Sequence, residues 1–141
     1  MILDFERFVE AQNPVWRDVV SELEAGRKRS HWMWFVFPQL AGLGSSPMAV
    51  RYALGSVIEA SGYLAHRVVG PRLREATGLM LGHAGMSAEA ILGGVDAMKF
   101  RSSMTLFRLA APDEPLFGRA LDAFFDGAED SRTLALLGRD G

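Results

Sequence analysis

Apolar residues recur along this chain at spacings of three and four, and no stretch alternates apolar with polar positions for long. The pattern predicts an all-α fold. A first helix is expected from about Leu3 to Gln12, with Phe5, Phe8 and Val9 on one stripe and Gln12 on the same stripe as an inward polar group. Asn13-Pro14 reads as an N-cap with proline at the first helical position, opening a second helix with Val15, Trp16, Val19 and Leu23 inward. Its outer face is Arg17, Asp18, Glu22 and Glu24, and Gly26 ends it. Ser46-Pro47 repeats the start signal and predicts the longest helix, to about His66, along Val50, Leu54, Val57, Ile58 and Leu64.

Gly70-Pro71 opens a further helix through Leu73, Met80 and Leu81, with Arg72, Arg74 and Glu75 outward. Ser87 caps a short one to Leu92, Gly93-Gly94 breaks it, and a long helix from Val95 to Ala110 stops at Pro112. Two more are expected from Leu116 to Asp126, burying Phe117, Ala120, Leu121 and Phe124, and from Asp130 to Leu137. No repeat, low-complexity tract or linker divides residues 1–141, so the expectation is a single compact domain of about seven or eight helices in an orthogonal or irregular bundle.

Two segments carry chemical information. The first is the run from Arg27 to Leu40, with Trp32-Met33-Trp34-Phe35-Val36-Phe37 at its centre and the loop Ala41-Gly42-Leu43-Gly44-Ser45-Ser46 after it. A segment apolar on every side belongs in a core, which places His31 and Gln39 at the two ends of a buried rod. Two readings stand for that pair. Both bond to nearby backbone, or both face a cavity roofed by Trp32 or Trp34, the aromatic wall with a few polar groups that small-molecule sites favour. The loop also has two readings: a tight turn with Ser46 as an ordinary N-cap, or a glycine-lined approach at Gly42 and Gly44 for a phosphate or carboxylate. It has neither the preceding strand of a dinucleotide fold nor the spacing of a Walker loop.

The second segment is Asp96 to Phe107. On a wheel of about 100° per residue counted from Val95, Arg101, Arg108 and Ala97 share the predicted solvent face. Asp96, Lys99 and Ser103 fall at roughly 40 to 100°, between Val95 and Leu106 on one side and Phe100 and Phe107 on the other. Ser102 and Thr105 also lie on largely apolar arcs. An inward Asp and Lys three residues apart form either a structural ion pair or part of a site, and desolvating this many polar groups favours a site.

The other candidates are plainer. His66 and His83 sit at helix ends, and the three histidines match no metal spacing, so neither a metal nor any other cofactor is expected. Arg27-Lys28-Arg29 reads as a solvated helix exit that would also attract an anion to a neighbouring pocket.

Composition narrows the classes. With 141 residues, 49% of them hydrophobic, and 15 basic against 17 acidic side chains, the chain is the opposite of a disordered one and is long enough for a real core. A formal charge of -2 argues against general nucleic-acid binding, and the absence of cysteine removes disulfides and thiol chemistry. The acidic start Asp4-Phe5-Glu6 is unlike a signal peptide, and Trp32 to Phe37 is too short for a membrane span, so a cytoplasmic protein without membrane contact is expected.

The run Gly26 to Leu40 with Gly42-Leu43-Gly44-Ser45-Ser46, followed downstream by Asp96, Lys99 and Ser102-Ser103-Met104-Thr105-Leu106-Phe107, resembles domain-of-unknown-function family 1810. Arg7-Phe8, Ala11-Gln12, Gly127, Asp130 and Thr133 extend the resemblance along the chain. It implies a small, mostly bacterial helical domain and no particular activity. Members are sometimes labelled calpastatin, but a calpain inhibitor of that name is a polar, disordered chain and this one is compact and hydrophobic.

These features converge on a pocket drawing on His31, Trp32, Trp34, Gln39, Gly44, Ser46, Asp96, Lys99, Ser102 and Ser103, open to a small anionic or nucleotide-like ligand. In an enzyme, His31 or Asp96 would be the acid or base and Lys99 would hold developing negative charge. The alternative is an interaction or structural module whose inward polar groups only lock helix packing.

Overall fold

The computed structural model describes residues 4–139, which form ten helices and no strand. In chain order they are α1 (Glu6–Gln12), α2 (Trp16–Glu24), α3 (Met33–Val36), α4 (Pro47–Arg51), α5 (Val57–Ala65), α6 (Val69–Leu81), α7 (Ala88–Leu92), α8 (Gly94–Ala110), α9 (Pro115–Phe125) and α10 (Ser131–Leu136). Helix α8, the longest at 17 residues, packs against α5, α7, α9 and α10, and α6 packs against α2, α5 and α9.

Side-chain caps account for many of the starts. Ser46, Ser56, Ser87 and Asp130 each accept a hydrogen bond from the backbone N–H three residues on. Aromatic side chains fill the centre. Phe37 of the α3 segment meets Phe100 of α8 edge-on at 4.9 Å, and Phe107 lies 5.5 Å from Tyr63 and 5.7 Å from Phe117. Gln12 is buried there as a connector: its Nε2 donates to the Phe35 carbonyl at 2.7 Å and to Tyr63 Oη at 3.1 Å, and its Oε1 accepts from Arg72. Burial raises the Tyr63 phenol well above its ordinary pKa, so it stays protonated in this network.

The structure departs from the sequence pattern in several places, each with a physical cause. The expected helix from Ser46 to His66 is two helices, because residues 52–56 leave helical geometry. Leu54 N–H donates to the Gln39 carbonyl and Ala41 N–H to the Leu54 carbonyl, a single parallel bridge. With that break Val50 and Ile58 turn outward, 64% and 70% exposed. Helix α2 begins at Trp16 rather than at Pro14, since Asn13 is still helical and donates to the Val9 carbonyl as the last turn of α1.

Helix α6 begins at Val69, one residue before the expected glycine, with His66 Nδ1 accepting from the Val68 and Val69 amides. His83 serves another end, its Nε2 lying 2.9 Å from the Leu23 carbonyl at the close of α2. On α8 the expected solvent face is open at Arg108 but not along its whole length. Ala97 is buried, and Arg101 donates to the carbonyls of Ala128 and Glu129 in the segment leading into α10. Val95 and Met98, which lie off that face, are exposed as well, at 71% and 66%.

Candidate functional site

Three segments far apart in sequence enclose a cleft of about 370 Å³. The loop after Gln39 supplies one wall with Leu43, Gly44, Ser45 and Ser46; the first three turns of α8 supply Val95, Met98, Lys99 and Ser102; Asp130 and Arg132 close it at the start of α10. Most of the lining surface is apolar, and Lys99, Asp130 and Arg132 are its charged groups. This is the size range and character of a small-molecule pocket.

Glycine shapes the loop wall. Gly42 sits at φ 102°, where side-chain-bearing residues are strained, and a Cβ on Gly44 would come within 2.7 Å of the Ala49 Cβ. The loop therefore folds close onto α4. Ser46 is spent as the cap of α4, its Oγ accepting from Ala49 N–H at 3.2 Å. Across the cleft, Arg132 donates from Nη2 to the Leu43 carbonyl at 3.2 Å, tying the loop to α10.

Asp130 is the most heavily bonded group in the cleft. Its Oδ2 accepts from Thr133 N–H, Thr133 Oγ1 and Ser102 Oγ at 3.0, 2.6 and 3.0 Å, and its own N–H donates to Thr105 Oγ1. It therefore caps α10 and fastens that helix to α8 at once. Ser102 and Thr105, inward on the wheel, each also bond the carbonyl four residues back.

Lys99 is the cation of the α8 wall. Its Nζ lies 3.8 Å from Asp96 Oδ1 and 5.3 Å from the centre of the Trp34 ring. Asp96 has a closer partner on its other side, for Lys28 Nζ is 2.9 Å from Oδ2, with a side chain only 8% exposed and stacked over Trp32 at 5.0 Å. Lys28 largely neutralises Asp96, and Lys99 brings surplus positive charge to the cleft.

The segment from Lys28 to Trp32 is pinned by Glu22. Its carboxylate accepts from the backbone N–H groups of Arg29 and Ser30, from Ser30 Oγ at 2.6 Å and from Trp32 Nε1 at 3.0 Å. Burial alone would raise the carboxyl, but these four donors outweigh it and hold the pKa at about 2 against the usual 4.5. This latch sets the orientation of Trp32 and leaves His31 at the surface.

The structure thus gathers Gln39, Gly44, Ser46, Lys99 and Ser102 along one cleft, with Trp34 and Asp96 in contact with Lys99. His31 is exposed rather than at the end of a buried rod, Trp32 is buried behind Lys28, and Ser103 is fully buried; none of the three lines the cleft. Ser103 Oγ has no hydrogen-bond partner among the described residues. Asp130, Arg132, Leu43, Val95 and Met98 are cleft residues that sequence reasoning passed over. Asp130 carried a signal, the Asp-x-x-Thr spacing of a helix cap; Arg132 carried none.

Among the described residues no three His, Cys, Asp or Glu side chains gather as a metal-binding group, and no helix is long and apolar enough to cross a membrane. No curated protein matches the chain. The crystal structure of the conserved hypothetical protein Rv1873 from Mycobacterium tuberculosis is similar to it, with 56% sequence identity, a TM-score of 0.94, and coverage of 96% of this chain and 97% of that one. Residues 2–137 match the family described as protein of unknown function (DUF1810), and the chain belongs to that family.

Proposed function

We propose that this domain binds a small anionic, nucleotide-like molecule in the cleft between the 40–46 loop, α8 and α10. The observation that carries the reading is the convergence of Lys99 and Arg132, from two different helices, on one largely apolar cleft of about 370 Å³. Apolar walls such as Leu43 and Met98 suit a ring or other flat organic body, and the two cations suit a phosphate or carboxylate. Lys99 binds the anion. Asp96 acts through it as a positioning residue, held in turn by Lys28.

A thermal-shift series over nucleosides, nucleoside monophosphates and sugar phosphates tests the proposal. Anionic members should raise the melting temperature in proportion to the logarithm of their concentration, and neutral nucleosides should not. Lys99→Ala and Arg132→Ala should each weaken binding by about tenfold or more, near 1.4 kcal/mol, with the fold intact. A flat response across the series would sink the reading.

The second reading, a module whose polar residues only lock packing, draws on the fact that Asp96, Ser102, Thr105 and Asp130 all have internal partners. It predicts that the Lys99 and Arg132 variants change stability alone.

A further inference from the structure

Arg132 lines two hollows. On one side is the cleft; on the other is an open depression of about 310 Å³ walled by Gly42, Ala135 and Leu136. Leu136 is 51% exposed and lies 3.4 Å from where a Gly42 Cβ would stand, so the depression has an apolar floor that no described side chain covers. The single hydrogen bond from Arg132 Nη2 to the Leu43 carbonyl leaves other guanidinium N–H groups available between the two hollows.

The charges around the cleft set a second constraint. Lys99 and Arg132 contribute one positive charge each and Asp130 one negative charge, a formal balance of +1. A terminal phosphate carries about 1.5 to 2 negative charges at neutral pH, and the second would stand beside Asp130 in a partly desolvated site. A phosphodiester carries one charge and has an organic group on each side.

We infer that the depression is a second binding site for the same ligand, and that the ligand is a two-armed phosphodiester: the phosphate held between Lys99 and Arg132, one arm in the cleft and the other over Leu136. This rests on the reading of the cleft as an anion-binding site. The committed class is a free small molecule of dinucleotide size, in keeping with the net charge of -2, rather than a nucleic-acid strand.

Calorimetric titration with adenosine 5′-monophosphate, the dinucleoside monophosphate ApA and a hexa-adenylate separates the possibilities. The expectation is that ApA binds about tenfold more tightly than the monophosphate. Leu136→Ser, a neutral change at an exposed position, should remove at least about threefold of that advantage while moving the monophosphate affinity by less than about twofold. Equal or tighter binding of the monophosphate overturns the inference, as does an ApA advantage that survives Leu136→Ser. Affinity that keeps rising from ApA to the hexamer overturns the small-molecule commitment. If neither AMP nor ApA binds, the reading of the cleft itself fails; if AMP binds through Lys99 but ApA gains nothing, only the two-armed ligand fails.

Discussion

Asp96 stands between two lysines that differ in what they do for it. Lys28 approaches to 2.9 Å with a nearly buried ammonium, whereas Lys99 stays at 3.8 Å with a quarter of its side chain exposed to the cleft. Removing the first should leave a half-buried carboxylate without its main partner, so Lys28→Met is expected to destabilise by about 1 to 3 kcal/mol. Removing the second should cost under about 1 kcal/mol, as for an exposed pair. Chemical denaturation of the two variants checks the order, and a larger loss for Lys99→Ala would contradict this division of labour. The sequence carries the inward placement of Asp96 and Lys99, since both follow from helical spacing on α8. It does not carry Lys28, because three consecutive basic residues look alike until the backbone path selects the middle one for burial.

At the scale of the element, the segment between α2 and α3 owes its path to one carboxylate. Four hydrogen bonds converge on Glu22, and they hold Trp32 against Lys28 and His31 outside. The folded pKa of about 2 lies below the ordinary 4.5, so this contribution is fully present above about pH 4.5 and is lost as the pH falls toward 2. Glu22→Gln should therefore cost about 1 to 2 kcal/mol near neutral pH, and the gap in melting temperature between it and the parent should close on acidification across that window. A gap that stays constant down to pH 2.5 would show that the latch does not depend on ionised Glu22. Spacing alone placed Glu22 on the solvent face of α2 and His31 at the end of a buried rod. Periodicity reports which face a residue occupies on its own helix. It is silent about a segment that returns to meet that face, as the one leading into α10 meets Arg101 of α8.

At the scale of the molecule, the helical class and most helix positions are legible in the sequence, because caps and apolar stripes are local. Cleft assembly is not local. Gln39, Lys99 and Arg132 belong to three segments that meet only when the single bridge between Leu40 and Leu54 turns the chain and α10 closes over α8. The loop glycines and α8 polar residues were visible one segment at a time, and Asp130 and Arg132 become site residues only through that closure. The most direct test of the cleft as a ligand site is a titration of adenosine 5′-monophosphate into nitrogen-15-labelled protein, followed by amide chemical shifts. Saturable shifts confined to residues 43–46, 98–102 and 130–133, and moved to at least about tenfold higher ligand concentration in Lys99→Ala, are the predicted result. Shifts centred on residues 27–31 instead, or none up to about 5 mM ligand, weaker than any useful small-molecule affinity, would contradict it.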